Sequence, residues 1–351
     1  MALARIATGR SARAKLIAAL ARPATTRGLE ALVLEQQGAA LQRATMQADR
    51  DLRWVGGAAG FVCVFGADGY PSALTAIPDP PAVLYGLGDP TASAGLCVAI
   101  VGSRQGTAEG RATAATLAAD LSRAGVCVVS GLARGIDGAA HRAALEAGGR
   151  TIAVLGAGLD RVYPPEHAGL ARAVAGAGAV ISEFPPGMPP LPGHFPQRNR
   201  VISGLAAGVV LIEAGEKSGS LTTARHALEQ GREVMVVPGG VRTPRSRGGH
   251  QLIKQGAALV EDVLDVLEVL GLQVPQALAE PRGADPRRGD RPPPGDALGR
   301  AICDALGADA RTLDELIDRV GSSAAAVSAA VVVLELGGFV RLDGQRYSRA
   351  P

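Results

Sequence analysis

The residues best suited to chemistry are cations and hydroxyl groups beside glycines in short turns. The run from Lys217 to Ser220 (KSGS) follows Gly208 to Glu213, a short β-branched apolar segment typical of the middle of a parallel sheet. Its Ser-Gly-Ser residues should cap the next helix, and the free backbone N–H groups of such a turn attract anions. With Arg198 and Arg200 nearby in the sequence, the simplest ligand is a phosphate or a string of phosphates.

Three further turns after predicted strands carry arginine. They are Gly102 to Arg104 (GSR), Ser130 to Asp137 (SGLARGID) and Phe195 to Arg200 (FPQRNR). For any single turn, a structural explanation is equally good: the glycines allow a tight bend, and the arginines solvate the rim of the sheet. Four such turns converging on one edge favour an extended anionic ligand.

Catalytic and metal-binding patterns are weak. Glu183, Glu213 and Asp137 end or follow predicted strands and could act as general acids or bases, but such carboxylates more often accept bonds from loop amides or pair with arginines. The five histidines lack HxxxH or HExxH spacing, and the four cysteines lack CxxC spacing. We predict no catalytic residue, no metal site and no disulfide framework, with His141 structural and His194 a ligand contact.

Two common nucleotide motifs fail. After Gly156-Ala157-Gly158, Arg161 stands where GxGxxG requires its last glycine, and Gly215 to Ser218 lacks the earlier glycine of a Walker loop. Aromatic residues are only 3% of the chain, so Phe195 and Tyr163 stand out. A base could stack on either ring, although a ring that plugs the sheet edge is an equal interpretation. No cofactor is predicted.

The elements that position these turns alternate regularly between residues 97 and 271. Apolar β-branched runs, each followed by a Gly or Ser turn and an Ala-rich amphipathic stretch, predict a doubly wound parallel sheet with ligands beyond the carboxyl ends of its strands. The predicted strands are 97–101, 126–129, 151–155, 179–183, 209–213 and 233–237, and the predicted helices are 107–124, 135–147, 166–175, 199–206 and 221–230.

The rest of the chain divides by composition. We predict a helical N-terminal module at 1–53, a Pro-rich connector at 54–96, the core at 97–271, a Pro-, Gly- and charge-rich flexible linker at 272–296 and a separate domain at 297–351. The basic start of the module also resembles a transit peptide. No apolar run approaches a membrane span, and a net charge of +3 says little about partners, so a soluble cytoplasmic protein is expected.

The final domain reads as a winged helix. Three helices (297–306, 312–320 and 323–336) precede two strands that flank Asp343-Gly344, a hairpin signal. Thr312 and Glu315 form a capping-box pattern at the second helix. The third helix carries no Arg or Lys, which favours protein contact, or weak DNA contact through Arg341 and Arg346, over duplex recognition.

Taken in order, these motifs resemble the DprA/Smf family of DNA-processing proteins over roughly residues 70 to 270. The resemblance implies an extended Rossmann-like core that binds single-stranded DNA, dimerises and helps load the RecA recombinase during natural transformation, often with a helical N-terminal module and a C-terminal winged helix. The residues that carry it are VAIVGSR (98–104), SGLARGID with the following AAH (130–141), VLGAGLDRVYP (154–164), SEFPPG (182–187), HFPQRNRVISGL (194–205) and EAGEKSGSLTTARHALEQGREV (213–234).

The resemblance also assigns residues and leaves questions open. Gly249-His250 departs from the family's usual Asn, and residues 1–53 fit the usual N-terminal module poorly. We expect a non-enzymatic binder; the alternatives are a nucleoside-monophosphate hydrolase, suggested by Pro238-Gly239-Gly240 although the rest of the PGGxGTxxE motif is missing, and an adaptor that acts through its winged helix. The expected DNA-binding residues are Gly102, Ser103, Arg104, Arg134, Phe195, Arg198, Asn199, Arg200, Lys217, Ser218, Gly219 and Ser220.

Overall fold

A nine-stranded sheet forms the centre of the larger of two compact units, Met1–Pro275 and Gln276–Pro351. The computed structural model describes residues 38–272, 297–306, 310–336, 339–343 and 346–349. The strands of this sheet are β1 (Phe61–Val64), β2 (Val83–Gly88), β3 (Cys97–Gly102), β4 (Cys127–Ser130), β5 (Thr151–Val154), β6 (Ala179–Ser182), β7 (Gly208–Ile212), β8 (Glu233–Val236) and β9 (Ala258–Leu259).

Helices connect these strands. They are α1 (Gly38–Gly57), α2 (Ser72–Thr75), α3 (Ala108–Arg123), α4 (Ile136–Glu146), α5 (Ala168–Ala177), α6 (His194–Leu205), α7 (Ser220–Glu229), α8 (Arg247–Lys254) and α9 (Val263–Val269), with 3-10 turns at Pro165–His167 and Pro244–Ser246.

The strand order creates a crevice at one point of the sheet. Across the sheet the order is β1-β2-β6-β5-β4-β3-β7-β8-β9. The last seven strands in this order all pair in parallel with their neighbours among the seven. From β3 the chain builds outward through β4, β5 and β6, and then returns to the other side of β3 for β7, β8 and β9. The order therefore reverses between β3 and β7, where open α/β sheets bind their ligands. The predicted doubly wound, Rossmann-like class is confirmed.

The core explains why the strand predictions succeed. Every residue of β4, β5, β6 and β7 is buried, so these runs are mostly apolar instead of alternating, with single buried hydroxyl residues at Ser130, Thr151 and Ser182. On one face Ala99 and Val101 pack with Val201 and Ile202 of α6 and with α7, whereas α3 and α4 contact the same central strands from the other. The six predicted strands agree with the observed ones to within one residue at each end.

Helix α6 departs from the prediction. It begins at His194, five residues before the predicted start at Asn199, so the segment FPQRNR is helical and is not a loop. Pro196 falls in the first turn, where a missing backbone N–H costs nothing. This proline made a helical segment look like a turn.

The predicted connector at 54–96 belongs to the core sheet. Strands β1 and β2 are antiparallel additions, and Tyr85 of β2 pairs with Ser182 of β6. Val83 to Tyr85 are buried, and the Tyr85 hydroxyl donates to Asp51 of α1 at 3.2 Å. The prolines around β2 obscure its short apolar run in the sequence. This run pairs with its neighbouring strands only in the folded sheet. Of the predicted N-terminal module, residues 1–37 lie outside the described residues.

The second unit is a small winged-helix domain, as predicted. It contains α10 (Ala297–Leu306), α11 (Leu313–Val320) and α12 (Ala324–Leu336), followed by the antiparallel pair β10 (Val340–Asp343) and β11 (Arg346–Arg349). Thr312 and Glu315 form the predicted capping box. The predicted turn residue Gly344 and linker residues 273–296 lie outside the described residues.

In the described part of the chain, no single helix is long and apolar enough to cross a membrane; only α11 and α12 taken together, bent by 113°, meet the requirement by length and composition.

Candidate nucleic-acid interface

A cleft of about 840 Å³ opens at the carboxyl ends of β3 and β7, where the strand order reverses. It is built from the turns that follow six strands, β3 to β8, and from the start of α6. Its polar and aromatic lining includes Ser103, Arg104, Tyr163, Phe195, Arg198, Asn199, Lys217, Ser218, Ser220, Thr223 and Arg245.

The turn after β3 lies directly against β7. Ser103 N–H donates to the Ile212 carbonyl at 3.3 Å, and its hydroxyl accepts from the Gln105 amide at 3.1 Å. A side chain at Gly102 would collide with the Ile212 carbonyl oxygen and with Ile136, so only glycine permits this approach. The result is an exposed Arg104 held at the mouth of the cleft.

The turn after β7 is anchored by Glu213. This residue adopts a left-handed conformation with φ 52°, and its carboxylate accepts bonds from the Thr107 amide, at 2.8 Å, and hydroxyl. These bonds join the end of β7 to the start of α3. Strained backbone of this kind persists where surrounding contacts fix it, as they do here.

The Lys217–Ser220 segment follows this anchor and faces the cleft. The cap residue of α7 is Gly219, which makes no side-chain capping bond. The Ser218 hydroxyl instead lies 2.7 Å from the Ser220 hydroxyl and 3.4 Å from the Ser220 amide. Lys217 is exposed, and no carboxylate of the described residues lies within 4.0 Å of it. This leaves a flexible cation beside a helix N-terminus.

An aromatic wall faces this turn. The ring of Phe195 lies 5.7 Å from that of Tyr163 at 52°, and a side chain at Gly156 would press on the Phe195 ring. The Arg104 guanidinium carbon stands 5.2 Å from the Phe195 ring centre, within cation–π range. Pro190 also lines this side. The cleft therefore combines apolar, stackable rings with cationic side chains.

Arg198 and Asn199 form part of the cleft lining at greater depth. Arg198 is only 5% exposed; it donates to the carbonyls of Gly131, at 2.8 Å, and Val154, and to Asn199 Oδ1 at 3.2 Å. Burial lowers the pKa of Arg198 to about 10, against the opposing attraction of Asp137, so the guanidinium is still charged at neutral pH. Arg198 is thus a fixed cation with a structural role.

Two predicted arginines have other partners. Arg200 does not line the cleft: it is buried in an ion-pair cluster with Glu183 and, at 3.2 Å, Asp79. Arg134 is exposed near Tyr163, on the rim of a smaller adjoining pocket, and its Nε donates to Glu166. The structure therefore reassigns Arg200 to the core and leaves Arg134 at the edge of the site.

The histidine predictions divide. His141 is fully buried, and its Nδ1 lies 2.7 Å from the Thr151 hydroxyl, as expected of a structural residue. His194 stacks on Phe184 with ring centres 4.0 Å apart and does not line the cleft. His194 was predicted as a ligand contact, but in the structure it is the first residue of α6 and packs on Phe184.

Carboxylates at the strand ends have structural partners. Asp137 accepts from the amides of Gly131 and Ala133 at 3.1 and 3.3 Å, and burial raises its pKa. Glu183 and Glu213 have the partners given above. The described residues contain no group of three or more His, Cys, Asp or Glu side chains arranged to hold a metal ion.

Sequence reasoning missed Arg245. This residue lies in the 3-10 turn after β8 and lines the cleft. The amides of Gly248 and Gly249 donate to the Ala214 carbonyl at 2.9 and 3.2 Å, which brings this segment against the turn after β7. The available signal was its position: Arg245 follows a predicted strand, as the other turn cations do.

The fold and this cleft define a Rossmann-like protein with a cationic site at its topological switch point. The sequence profile of DNA recombination-mediator protein A matches residues 61–271, and that of the DprA winged helix domain matches residues 286–344. The chain belongs to the DNA recombination-mediator protein A family, also called DprA or Smf.

Known relatives agree in sequence and in structure. Protein Smf of Escherichia coli is 43% identical over 250 residues, which cover 69% of this chain and 67% of that protein. The DprA structure from Streptococcus pneumoniae matches with a TM-score of 0.61 and 39% identity, over 66% of this chain and 82% of that one. DprA from Helicobacter pylori, whose structure concerns its single-stranded DNA binding mode, matches with a TM-score of 0.55 and 29% identity, over 61% and 97% of the two chains.

Proposed function

We propose that this protein binds single-stranded DNA in the cleft, protects it and helps to load the RecA recombinase onto it. The observation that carries the proposal is the combination of two kinds of lining in one cleft. One part, the cationic wall, bears Arg104 and the Lys217–Ser220 turn, and the other, the aromatic wall, bears the Phe195 and Tyr163 rings. Proteins that bind single strands combine a cationic track for the backbone with aromatic rings on which bases stack.

The charges that line the cleft also support single-stranded DNA as the ligand. Among the described residues, no carboxylate lies within 4.0 Å of the Arg104, Lys217 or Arg245 side chains. Asp137 is the acidic residue in the cleft lining, and it already bonds to two amides. Unpaired cations in a cleft create a positive potential that a polyanion neutralises on binding.

The proposed role is binding without catalysis. Hydrolysis of a nucleotide would require a carboxylate free to act as acid, base or nucleophile. Of the three candidate carboxylates, Glu213 and Asp137 hold backbone amides in place, and Glu183 accepts bonds from Gln197 and Arg200. Incubation with nucleoside monophosphates should release no free base, and release of base would favour the hydrolase instead.

Single substitutions in the cationic wall test the binding role. Arg104→Ala and Lys217→Ala should each weaken binding of a labelled oligonucleotide and reduce the slope of log affinity against log salt by about 0.7 per lost phosphate contact. Arg225→Ala is the matched control because Arg225 is exposed on α7 and does not line the cleft. Tight, salt-insensitive binding by either cleft variant would refute the assignment.

Partners form the second part of the proposal. The family relationship supports a homodimer that delivers bound DNA to RecA. Light scattering gives the oligomeric state, and strand-exchange assays on DNA pre-coated with a single-strand binding protein test whether this protein accelerates RecA loading. A monomer with no effect on RecA would leave only DNA binding.

The winged helix favours a protein partner over duplex DNA. Its third helix, α12, exposes Val332 (53%) and Val333 (68%), and it offers no Arg or Lys for a groove. Deletion of residues 275–351 should therefore leave single-strand affinity intact while impairing recombination. Loss of single-strand affinity in that deletion would contradict this division of labour.

A further inference from the structure

Among the described residues, three exposed cations line the cleft without a carboxylate within 4.0 Å, and they lie in the turns that follow neighbouring strands. Arg104 follows β3, Lys217 follows β7 and Arg245 follows β8, and these strands are adjacent in the order β3-β7-β8. Arg134, which follows β4, extends the row on the other side. The strand order therefore places the turns that carry these cations in a row along the carboxyl edge of the sheet, in the order β4-β3-β7-β8.

The turns that carry these cations touch one another. Ile136 N–H, just after Arg134, donates to the Ser103 carbonyl at 3.2 Å, and Ser103 N–H donates to Ile212 at the end of β7. On the other side, a side chain at Gly215 would lie 4.0 Å from the Arg245 Cα. The four turns thus form a continuous floor, with no gap that would divide the row into separate sites.

We infer that a single DNA strand lies across the strand ends in the order β4-β3-β7-β8, with Arg245 holding its backbone at the β8 end. This inference rests on the proposed function and adds a path, a footprint and a residue to it. Arg245 contributes a phosphate contact that strands too short to reach β8 do not use.

The geometry sets the length of the footprint. Neighbouring strands lie about 4.8 Å apart, so the three steps from β4 to β8 span about 14 Å. At the stacked spacing of about 3.4 Å per nucleotide, this length corresponds to roughly four nucleotides, and a more extended strand would need fewer. A dinucleotide occupies about half of this path, and Phe195 and Tyr163, which share a pocket with Arg104 and Arg134, favour its placement at the β4–β3 end.

Oligothymidylates of two to eight nucleotides, titrated against the full-length protein by fluorescence anisotropy, test the path. For wild type, affinity should rise steeply with length up to about four nucleotides and only slowly beyond that. Arg245→Ala should bind a six-nucleotide strand several-fold more weakly, with a salt slope reduced by about 0.7, and should bind a dinucleotide as wild type does. Arg225→Ala controls for loss of an arginine outside the cleft.

The outcomes separate this inference from the proposed function. If wild type binds single strands but Arg245→Ala equals wild type at every length, the path is wrong and the function stands. Equal weakening at all lengths, including the dinucleotide, would also overturn the path because Arg245 would then lie at the centre of the site. If wild type binds none of the strands, the proposed function itself fails.

Discussion

Replacement of Arg200 by methionine should destabilise the larger unit while leaving the cleft able to bind DNA. The Arg200 side chain is 6% exposed, and it pairs with Glu183, 7% exposed, and Asp79, 18% exposed. Arg200→Met keeps the aliphatic bulk of the side chain but leaves the Glu183 charge buried with, among the described residues, Gln197 as its remaining side-chain donor. Because Arg200 does not line the cleft, affinity for a labelled strand should stay within about twofold of wild type.

The expected loss follows from this burial. Removal of one partner from a buried ion pair costs about 3–5 kcal/mol, a large part of the roughly 5–15 kcal/mol that stabilises a domain. For a unit of this size, the loss lowers Tm by about 6–20 °C. In the double variant Arg200→Met/Glu183→Gln, much of the loss should be recovered because the uncompensated charge is gone.

Trp54 makes this measurement direct. It is the only tryptophan in the chain, and it packs against the core of the larger unit, so urea unfolding followed by its fluorescence reports on that unit. A loss below about 1 kcal/mol would refute the structural role of Arg200, since that is the range of exposed pairs. If Arg200→Met is folded but its affinity for DNA depends less steeply on salt than that of wild type, Arg200 belongs to the DNA-binding site after all.

Three further predictions concern the rim, the aromatic wall and the core. Glu166→Gln frees Arg134 from its ion pair, so it should tighten binding of single strands and steepen the salt slope by up to about 0.7. Glu229→Gln, at the far end of α7, is the control and should change neither quantity. Equal effects of the two substitutions would show that only the net charge of the protein matters. Phe195→Ala should cost about 1–3 kcal/mol of binding without changing the salt slope, and an unchanged affinity for base-containing strands would exclude stacking. Burial holds the pKa of His141 at about 3, below its ordinary value. As the pH falls through about 6.5, the unfolded chain therefore binds a proton at this histidine that the native protein does not bind. Stability should therefore fall by about 2 kcal/mol between pH 7 and pH 5, and His141→Gln should flatten that change in the same urea assay.

The sequence predicts the parallel core well because local and tertiary preferences coincide there. Each buried strand is a short β-branched run, and several helices end at a glycine with positive φ, as at Gly125, Gly148 and Gly231. The turn cations Arg104 and Lys217 were found for the same reason: a residue just after a parallel strand lies at the ligand edge wherever the strand falls in the sheet.

The sequence pattern did not predict the directions in which the side chains of α6 point. Arg198 and Arg200 are two positions apart on a helix, so they point about 200° away from each other. One lines the cleft, and the other enters the Glu183 cluster. A reading of FPQRNR as a loop treats the two as equivalent, and only the helix start at His194 distinguishes them.

Arg245 and strand β2 were missed because their partners are distant in sequence. The β8 turn reaches the cleft through bonds from Gly248 and Gly249 to Ala214, more than thirty residues earlier. Strand β2 pairs with β6, about ninety residues later. Local propensity gives no signal for either contact, since both depend on the completed sheet.

One titration tests the central claim most directly. A labelled single strand and its matched duplex are titrated with the full-length protein at a low and a moderate salt concentration. Because the cleft combines a cationic wall with the Phe195 and Tyr163 rings, the single strand should bind more tightly than the duplex, whose bases are already stacked. Its affinity should fall as salt rises. Equal affinity for the two DNAs at both salt concentrations would contradict a cleft built for single strands.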